Sequence, residues 1–187
     1  STEMDVTSFI RIPLTQMLPL LAGLSLTSGQ KYTAVLKGTN AAGLHAVVNV
    51  SGIIPDNTIP MCNVLPRDVI GFDDVVDRDF ASHLMNLTAM FSCYDDDSGI
   101  QSIQAGVGTY PGGADVHSFV DINDLTVKVS EDMKTTWVTF VNINITTLTR
   151  YHVTINVEDM VGNRKTVSSD GILMDTTEPT VLPTYIR

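Results

Sequence analysis

The clearest hydrophobic pattern in the chain is an alternation with a period of two between residues 151 and 157. Apolar or aromatic side chains take the odd positions and polar ones the even positions: Tyr151, Val153, Ile155 and Val157 against His152, Thr154 and Asn156. Such alternation is typical of a β-strand with one buried face. Residues 84–94 alternate in the same way, and Leu87, Ala89, Phe91 and Cys93 are predicted to point inward. Because no stretch keeps a helical period, the pattern predicts an all-β protein.

Two tyrosines stand at the start of predicted strands, each six positions after an apolar residue. Tyr151 follows Ile145, and Tyr32 follows Leu26 in the same way. A tyrosine placed like this can bury its ring and hydrogen-bond through its hydroxyl to the backbone a few residues upstream. This arrangement is the tyrosine corner of Greek-key sandwiches. We therefore predict tyrosine corners at Tyr32 and Tyr151.

The two tyrosine segments belong to an internal repeat with an offset of 119 residues, the difference between positions 32 and 151. The matched pairs continue without a gap: Gly43 with Gly162, Gly52 with Gly171, Asp56 with Asp175, and Pro60 with Pro179. Self-similarity at a fixed spacing is typical of tandem architectures. Residues 1–60 are predicted to form the C-terminal half of one repeat, 61–179 a complete repeat, and 180–187 the first strand of the next. The expectation is that the chain is a piece, or one unit, of a longer array.

Several sequence segments resemble those of a known kind of module. The apolar-to-tyrosine step, the Asn40-Ala-Ala-Gly43 turn and the alternating strands look like fibronectin type III modules. The segments 95–100, 108–113, 169–171 and 175–179 are similar to a version found in tandem in very large extracellular proteins. The resemblance implies immunoglobulin-like or fibronectin-III-like Greek-key β-sandwich repeats in tandem, in an extracellular setting. It departs from the family because Cys93 takes a core strand position and no Arg-Gly-Asp tripeptide is present.

Composition and charge narrow the classes of partner. The 187 residues are 43% hydrophobic and carry a formal net charge of −10, without a basic stripe that would meet phosphates. The most apolar run, Met17–Leu24, contains a proline and is far shorter than a bilayer requires. We therefore expect neither nucleic-acid binding nor membrane insertion.

The two cysteines, Cys62 and Cys93, fall inside the predicted complete repeat. If one strand begins near Cys62 and the next ends near Cys93, antiparallel pairing brings the two together. A disulfide closing a loop of this size adds roughly 3 kcal/mol in the loop-entropy model. The alternative is two unlinked thiols.

Three Asn-x-Ser/Thr sequons are candidate N-glycosylation sites, at Asn49, Asn86 and Asn144. Asn86 has the opposite parity to Leu87, and Asn144 the opposite parity to Ile145, so both are predicted to point outward. A bulky glycan needs such a position. The alternative is that these are ordinary surface asparagines.

Acidic runs at 73–79 and 95–97 raise the question of calcium, because hard cations need several converging oxygens. Neither run matches an EF-hand loop, and successive carboxylates in a turn more often form a solvated tip. Asp95 and Asp97 are the calcium candidates if an ion binds, although the prediction is no metal. The four histidines show no metal-ligand spacing, and no catalytic motif is present. We expect neither an enzyme nor a cofactor.

Candidate assembly residues come from one strand and from the end of the chain. Trp137 is predicted to face the core, which leaves Val138 and Phe140 pointing outward as an apolar contact surface. The tail is predicted to complete a domain in another subunit by strand addition, through Thr180, Val181, Leu182, Tyr185 and Ile186.

These features favour a structural function. The leading hypothesis is a glycosylated repeat of an extracellular fibrous protein that contacts copies of itself or neighbouring repeats, with exchange of strands between units. Proline-bounded linkers at 56–60 and 175–179 would join successive sandwiches end to end. The alternative is an adhesion or receptor ectodomain that binds a protein or glycan through loops 73–79, 95–99 and 108–115.

Overall fold

A computed structural model describes residues 24–82 and 85–180. The chain divides into two compact units, with the division between Asn57 and Thr58. The described residues form twelve β-strands and one short 3-10 helix, with no α-helix among them. The prediction of an all-β protein is confirmed. Within these ranges, no helix has the length and apolar character needed to span a lipid bilayer.

The first unit contains one antiparallel hairpin, formed by β1 (Tyr32–Thr39) and β2 (His45–Ile53). Its turn is closed by Asn40, whose side-chain oxygen accepts hydrogen bonds from the N–H groups of Ala42 and Leu44, each at 3.0 Å. Gly43 has a φ of 81°, a backbone conformation that favours glycine. The Asn and Gly residues of this turn are therefore the types that its hydrogen bonds and its positive φ favour.

The second unit contains the other ten strands. In chain order they are β3 (Met61–Val69), β4 (Phe80–Ala81), β5 (Asn86–Tyr94), β6 (Ile100–Gly108), β7 (His117–Asp121), β8 (Thr126–Val129), β9 (Thr136–Val141), β10 (Thr149–Asp159), β11 (Arg164–Ser168) and β12 (Ile172–Met174). One sheet has the order β3-β5-β9-β8. The other has the order β4-β12-β10-β6-β7, with β11 also paired to β10. All these pairs are antiparallel except β4 with β12.

One hydrophobic core lies between these two sheets. Leu87, Ala89 and Phe91 of β5 point into it as predicted, each at most 2% exposed. The opposite sheet supplies a second row of buried side chains: Ala105, Val107, Val153, Ile155, Val157, Val167, Ile172 and Met174. Val153, Ile155 and Val157 of β10 thus enter the core as the period of two predicts, but His152 and Thr154 on the other face are buried as well, so the strand is not exposed along its polar side.

The prediction for β9 was wrong about which side chains face the core. Val138 and Phe140 are both fully buried in the core, opposite Ala89 and Leu87 of β5, and form no outward contact surface. The prediction requires one strand over residues 136–145, in which Trp137, Ile143 and Ile145 share the core-facing side. The strand ends at Val141, and Asn142 follows with a φ of 55°. This turn changes the parity, so that the isoleucines enter the core together with Val138 and Phe140.

Trp137 lies on the other face of the same sheet, in a small second cluster with Met90 and Val69. Its indole N–H donates a hydrogen bond to the backbone oxygen of Asp74, at 2.9 Å. The connection between β3 and β4 therefore covers part of this outer face. Met90, Thr88 and Ser92 of β5 lie on this outer face by their parity and are nevertheless buried.

Candidate functional site

The hairpin of the first unit has the same strand register as the β10–β11 hairpin of the second. Val35 pairs with Asn49, and Thr154 pairs with Ser168, which are the positions 119 residues further along. One step further along each hairpin, Leu36 pairs with Val48 and Ile155 with Val167. The two hairpins are therefore built alike, residue for residue.

The turns of the two hairpins share their hydrogen bonds. Asp159 accepts from the N–H groups of Val161 and Asn163 at 2.9 and 2.8 Å, as Asn40 does in the first unit. Burial alone would raise the pKa of the Asp159 carboxyl. Hydrogen bonds from the side chain and backbone of Asn163 and from Val161 outweigh that effect and hold its pKa below the ordinary value.

Both predicted tyrosine corners have the expected hydrogen bond. The Tyr151 hydroxyl accepts from the Thr146 N–H at 2.8 Å, and the Tyr32 hydroxyl accepts from the Thr27 N–H at 2.9 Å. In each case the donor lies five residues upstream of the tyrosine. The Tyr151 ring is buried at 3% exposure, so its hydroxyl fixes the entry into β10 from inside the unit.

The two hairpins differ in what covers them. Leu36 is 60% exposed and Val48 59% exposed, whereas their equivalents Ile155 and Val167 are 0% and 9% exposed. Ile53 is 45% exposed and its equivalent Ile172 is 1% exposed. The first hairpin therefore presents an uncovered apolar face at the positions that form the core of the second unit. We call this face, formed by Leu36, Val48 and Ile53, the open face.

Within residues 24–82 and 85–180, no further strand pairs with the edges of the first hairpin. In the second unit, β10 pairs with β6 on one side and with β11 and β12 on the other. Among the described residues, β1 pairs only with β2. Its outer edge therefore offers backbone N–H and C=O groups to a further strand, which is how sheets are extended by strand addition.

Sequence reasoning did not identify the open face, although a signal for it was present. The repeat offset relates Leu36 to Ile155, which lies within the alternating core strand. Applying that offset to the burial pattern would have marked Leu36 and Val48 as core positions. Their exposure could not be read from the sequence, because it depends on which other strands lie beside them.

The structure joins Cys62 and Cys93 in a disulfide, as predicted. The two residues are direct register partners on β3 and β5, with their Cα atoms 3.9 Å apart. The bond therefore links neighbouring strands of one sheet and does not cross the core.

All three sequon asparagines are exposed. Asn49 lies on β2, Asn86 opens β5, and Asn144 lies in the connection between β9 and β10. The outward positions inferred for Asn86 and Asn144 agree with the structure. Each asparagine is thus accessible, and whether it carries a glycan stays a prediction.

The two calcium candidates, Asp95 and Asp97, differ in their hydrogen bonds. One oxygen of Asp95 accepts from the N–H groups of Asp97, Ser98 and Gly99 at 2.8 to 3.1 Å, so this carboxylate closes the turn before β6. The Asp97 carboxylate accepts from the Thr58 hydroxyl at 3.1 Å. Within the described ranges, Asp97 joins no cluster of potential metal ligands. Asp95 therefore closes a turn and also belongs to a group of potential ligand carboxylates, whereas the Asp97 carboxylate accepts its hydrogen bond from outside its own turn.

A different acidic cluster, which the sequence did not reveal, lies in the second unit. Asp68, Asp77 and Asp170 each place one carboxylate oxygen within 4.8 Å of the others. They come from β3, from the connection after it and from the turn between β11 and β12. Only Asp77 belonged to an acidic run in the sequence, because the other two are isolated along the chain.

The histidines and the residues of the predicted tail are the remaining candidates. Among the described residues, no histidine or cysteine belongs to a cluster of potential metal ligands. Thr180 is exposed at the end of the described range, while Val181, Leu182, Tyr185 and Ile186 lie outside it, and so does His83. Comparison of the chain with protein-family models, curated proteins and solved structures found no match.

Proposed function

We propose that this chain is a structural repeat of an extracellular fibrous protein, and that its first hairpin is completed by strands from a neighbouring copy. The observation that carries the proposal is the open face, which repeats the register of β10–β11 but leaves its core positions exposed. Assembly would then proceed end to end, each copy covering a hairpin of the next.

The strand order of the second unit supports an immunoglobulin-like Greek-key sandwich as the repeating module. In such sandwiches the first, second, fifth and fourth strands form one sheet, and the third, sixth and seventh form the other. Counting β3, β5, β6, β8, β9 and β10 as the first six strands, with β11 and β12 sharing the seventh, reproduces that division. The tyrosine corner at the start of the sixth strand belongs to the same architecture.

The open face gives assembly a hydrophobic driving force. Burying a leucine, valine or isoleucine side chain contributes roughly 1.5–3 kcal/mol, and an isolated two-stranded hairpin is marginally stable in water. Covering Leu36, Val48 and Ile53 therefore favours the assembled state. A strand on the outer edge of β1 would add backbone hydrogen bonds.

The partner that fits best is another copy of the same repeat. In the second unit, the equivalent hairpin is covered by Leu87, Phe91 and Phe140 of the facing sheet and is flanked by β6. Because the two hairpins share one register, strands of this type are complementary to the open face. Other proteins would have to reproduce that pattern of side chains independently.

A pair of neighbouring substitutions tests this proposal. Leu36→Asp places a charge on the open face, while the matched control Val35→Asp places one on the opposite face of the same strand, where Val35 is 46% exposed. Sedimentation velocity over a range of concentrations, with electron microscopy of the same samples, should show assembly of the wild type and of Val35→Asp. Leu36→Asp should weaken association at least about tenfold, the equivalent of 1.4 kcal/mol. A wild type that stays monomeric at every concentration would favour the adhesion or receptor alternative.

The part played by the tail is tested separately. If residues 180–187 supply a strand to the neighbouring copy, their deletion should abolish the fibres while the circular dichroism of the second unit is unchanged. Fibres that form normally without residues 180–187 would remove the tail from the mechanism and leave the open face as the contact.

The extracellular setting is proposed from the disulfide and the exposed sequons. Expression through a eukaryotic secretory pathway should give a chain whose mass falls on enzymatic removal of N-glycans. The substitutions Asn86→Gln and Asn144→Gln should each reduce this loss of mass by the mass of one glycan. An unchanged mass in the secreted wild type would contradict N-glycosylation.

A further inference from the structure

The end of β3 and the turn between β11 and β12 are held together by a buried carboxylate. Asp68 is 0% exposed, and its Oδ2 accepts a hydrogen bond from the Gly171 N–H at 3.1 Å. Gly171 has a φ of 93°, and a Cβ atom there would lie 2.4 Å from a ring carbon of His152. Glycine is therefore required at this position, and the turn that carries Asp170 is fixed close to Asp68.

The connection after β3 brings the third carboxylate to the same place. Asp77 accepts a hydrogen bond from the Asp68 N–H at 3.0 Å, and the Arg78 N–H donates to the Asp68 backbone oxygen at 2.8 Å. These two bonds hold the connection against β3 through the backbone N–H and the backbone oxygen of Asp68. Backbone N–H groups thus hold the Asp68 and Asp77 carboxylates in place.

Within the described ranges, none of the three carboxylates of the cluster forms an ion pair, although Arg150 lies nearby and donates a hydrogen bond to the Gly171 backbone oxygen. The ion pairs in the described ranges involve other carboxylates, those of Asp73, Asp74 and Glu158. The second oxygen of Asp68, Oδ1, is buried and has no hydrogen-bond partner there. An ionised carboxylate without water or a partner is strongly unfavourable inside a protein. A cation beside Oδ1 would give this buried oxygen a partner and would offset the charges of the two neighbouring carboxylates.

We propose that Asp68, Asp77 and Asp170 bind a calcium ion. Calcium takes six to eight oxygen ligands at about 2.3–2.6 Å, so two oxygens on one ion lie no more than about 5 Å apart. The observed limit of 4.8 Å satisfies that condition for all three residues. Asp77 and Asp170 are exposed, so water can supply the remaining ligands and the ion can enter from solvent. Magnesium fits less well because it demands near-ideal octahedral geometry and gives up its water reluctantly.

A bound ion would connect three elements that the strand pairing leaves separate. β3 belongs to one sheet, and the turn after β11 to the other. The ion would therefore join the two sheets at one edge of the sandwich and hold the connection at Asp77 against both. This role is independent of the open face, so the site can be tested in a chain that does not assemble.

Calorimetric titration of the calcium-free chain with calcium chloride at pH 7.5 tests the site. We expect one ion per chain with a Kd on the order of 10⁻⁴–10⁻³ M, the range of extracellular modules. Asp170→Asn should weaken binding at least about tenfold. The control Asp124→Asn, at an exposed aspartate outside the cluster, should bind as the wild type does.

A second variant keeps the proposal testable if binding is too weak for calorimetry. The thermal unfolding midpoint of the wild type should rise when calcium is added, whereas that of Asp68→Asn should not respond. The proposal is overturned if the wild type binds no calcium up to about 10 mM, or if Asp170→Asn binds as tightly as the wild type. Tighter binding of magnesium than calcium would overturn the assignment of the ion.

Discussion

The backbone conformation of single residues decides which side chains enter the core around β9. A φ of 55° at Asn142 ends the strand and changes the parity of the residues that follow. Asparagine is one of the few residues that adopt this conformation readily, but its presence alone does not require it. This is why the alternation in β5 and β10 predicted the core correctly and the reading of Trp137, Val138 and Phe140 did not.

The buried tyrosine corner should contribute measurably to stability. Tyr151→Phe keeps the ring and removes the oxygen that accepts from the Thr146 N–H. We expect it to lower the free energy of unfolding by about 0.5–1.5 kcal/mol, the net contribution of a typical hydrogen bond, because the part-buried Thr146 N–H loses its partner. Tyr110→Phe, at a tyrosine that is 57% exposed, should change it by less than about 0.5 kcal/mol. Chemical denaturation measures both, and equal effects of the two changes would contradict the proposed role of the corner.

The Asp68 carboxyl should make the calcium-free protein less stable as the pH rises. Its burial, together with the charges of Asp77 and Asp170, raises its pKa to about 7, against an opposing contribution from Ser169 and Gly171. Between the ordinary value of 3.8 and about 7, the folded chain holds a proton that the unfolded chain has lost. The free energy of unfolding therefore falls across that window, by an amount on the order of 4 kcal/mol.

This pH dependence can be isolated with one substitution. Denaturation of the calcium-free wild type should show lower stability at pH 8 than at pH 5, and Asp68→Asn should remove most of that difference. Carboxyls whose pKa is lowered, such as those of Asp159 and Asp115, lose their contribution only at more acidic pH. A wild type that is equally stable at pH 5 and pH 8 would contradict the account of Asp68.

At the scale of elements, the disulfide ties β3 to β5 and thereby fixes the first sheet. Cys62 and Cys93 are separated by 31 positions in sequence. Replacing both by serine should cost roughly 3–4 kcal/mol in the loop-entropy model, mainly by freeing the unfolded chain. Thermal unfolding of the oxidised wild type and of the double variant measures the difference. The wild type under reducing conditions should behave like the double variant, and no difference among the three would contradict the stabilising role.

The turn after β10, at Asp159, has an equivalent in the turn of the first hairpin, at Asn40. Asp159 and Asn40 form the same side-chain hydrogen bonds in two equivalent turns. Asp159→Ala should therefore cost about 1–3 kcal/mol in the free energy of unfolding, because two backbone donors lose their acceptor. Asp159→Asn keeps that acceptor and should cost clearly less. A loss that is the same for both substitutions would show that the charge, and not the turn hydrogen bonds, is the important property.

The sequence was informative about elements because its signals there are local. Strand period, the tyrosine step and the turn residues at Asn40 and Gly43 each act within a few residues of chain. The disulfide was also predictable, since it joins the two ends of adjacent strands. The acidic cluster was not, because Asp68 and Asp170 are brought together only by the packing of two sheets.

At the scale of the whole molecule, the account depends on two hairpins that share one register but differ in burial. The second unit shows which strands such a hairpin accepts, and the open face of the first shows the same positions uncovered. We propose from this difference a structural repeat that exchanges strands with its neighbours. The proposed calcium site would add stability within a unit and is separate from assembly.

Hydrogen exchange measured at low and at high protein concentration tests this central claim most directly. The account predicts that amides of residues 32–39 exchange more slowly at high concentration, because a neighbouring copy then pairs with the outer edge of β1. Amides of residues 152–159, which are already paired with β6, should exchange at the same rate in both samples. Exchange in residues 32–39 that does not change with concentration would contradict completion of the hairpin by a second copy.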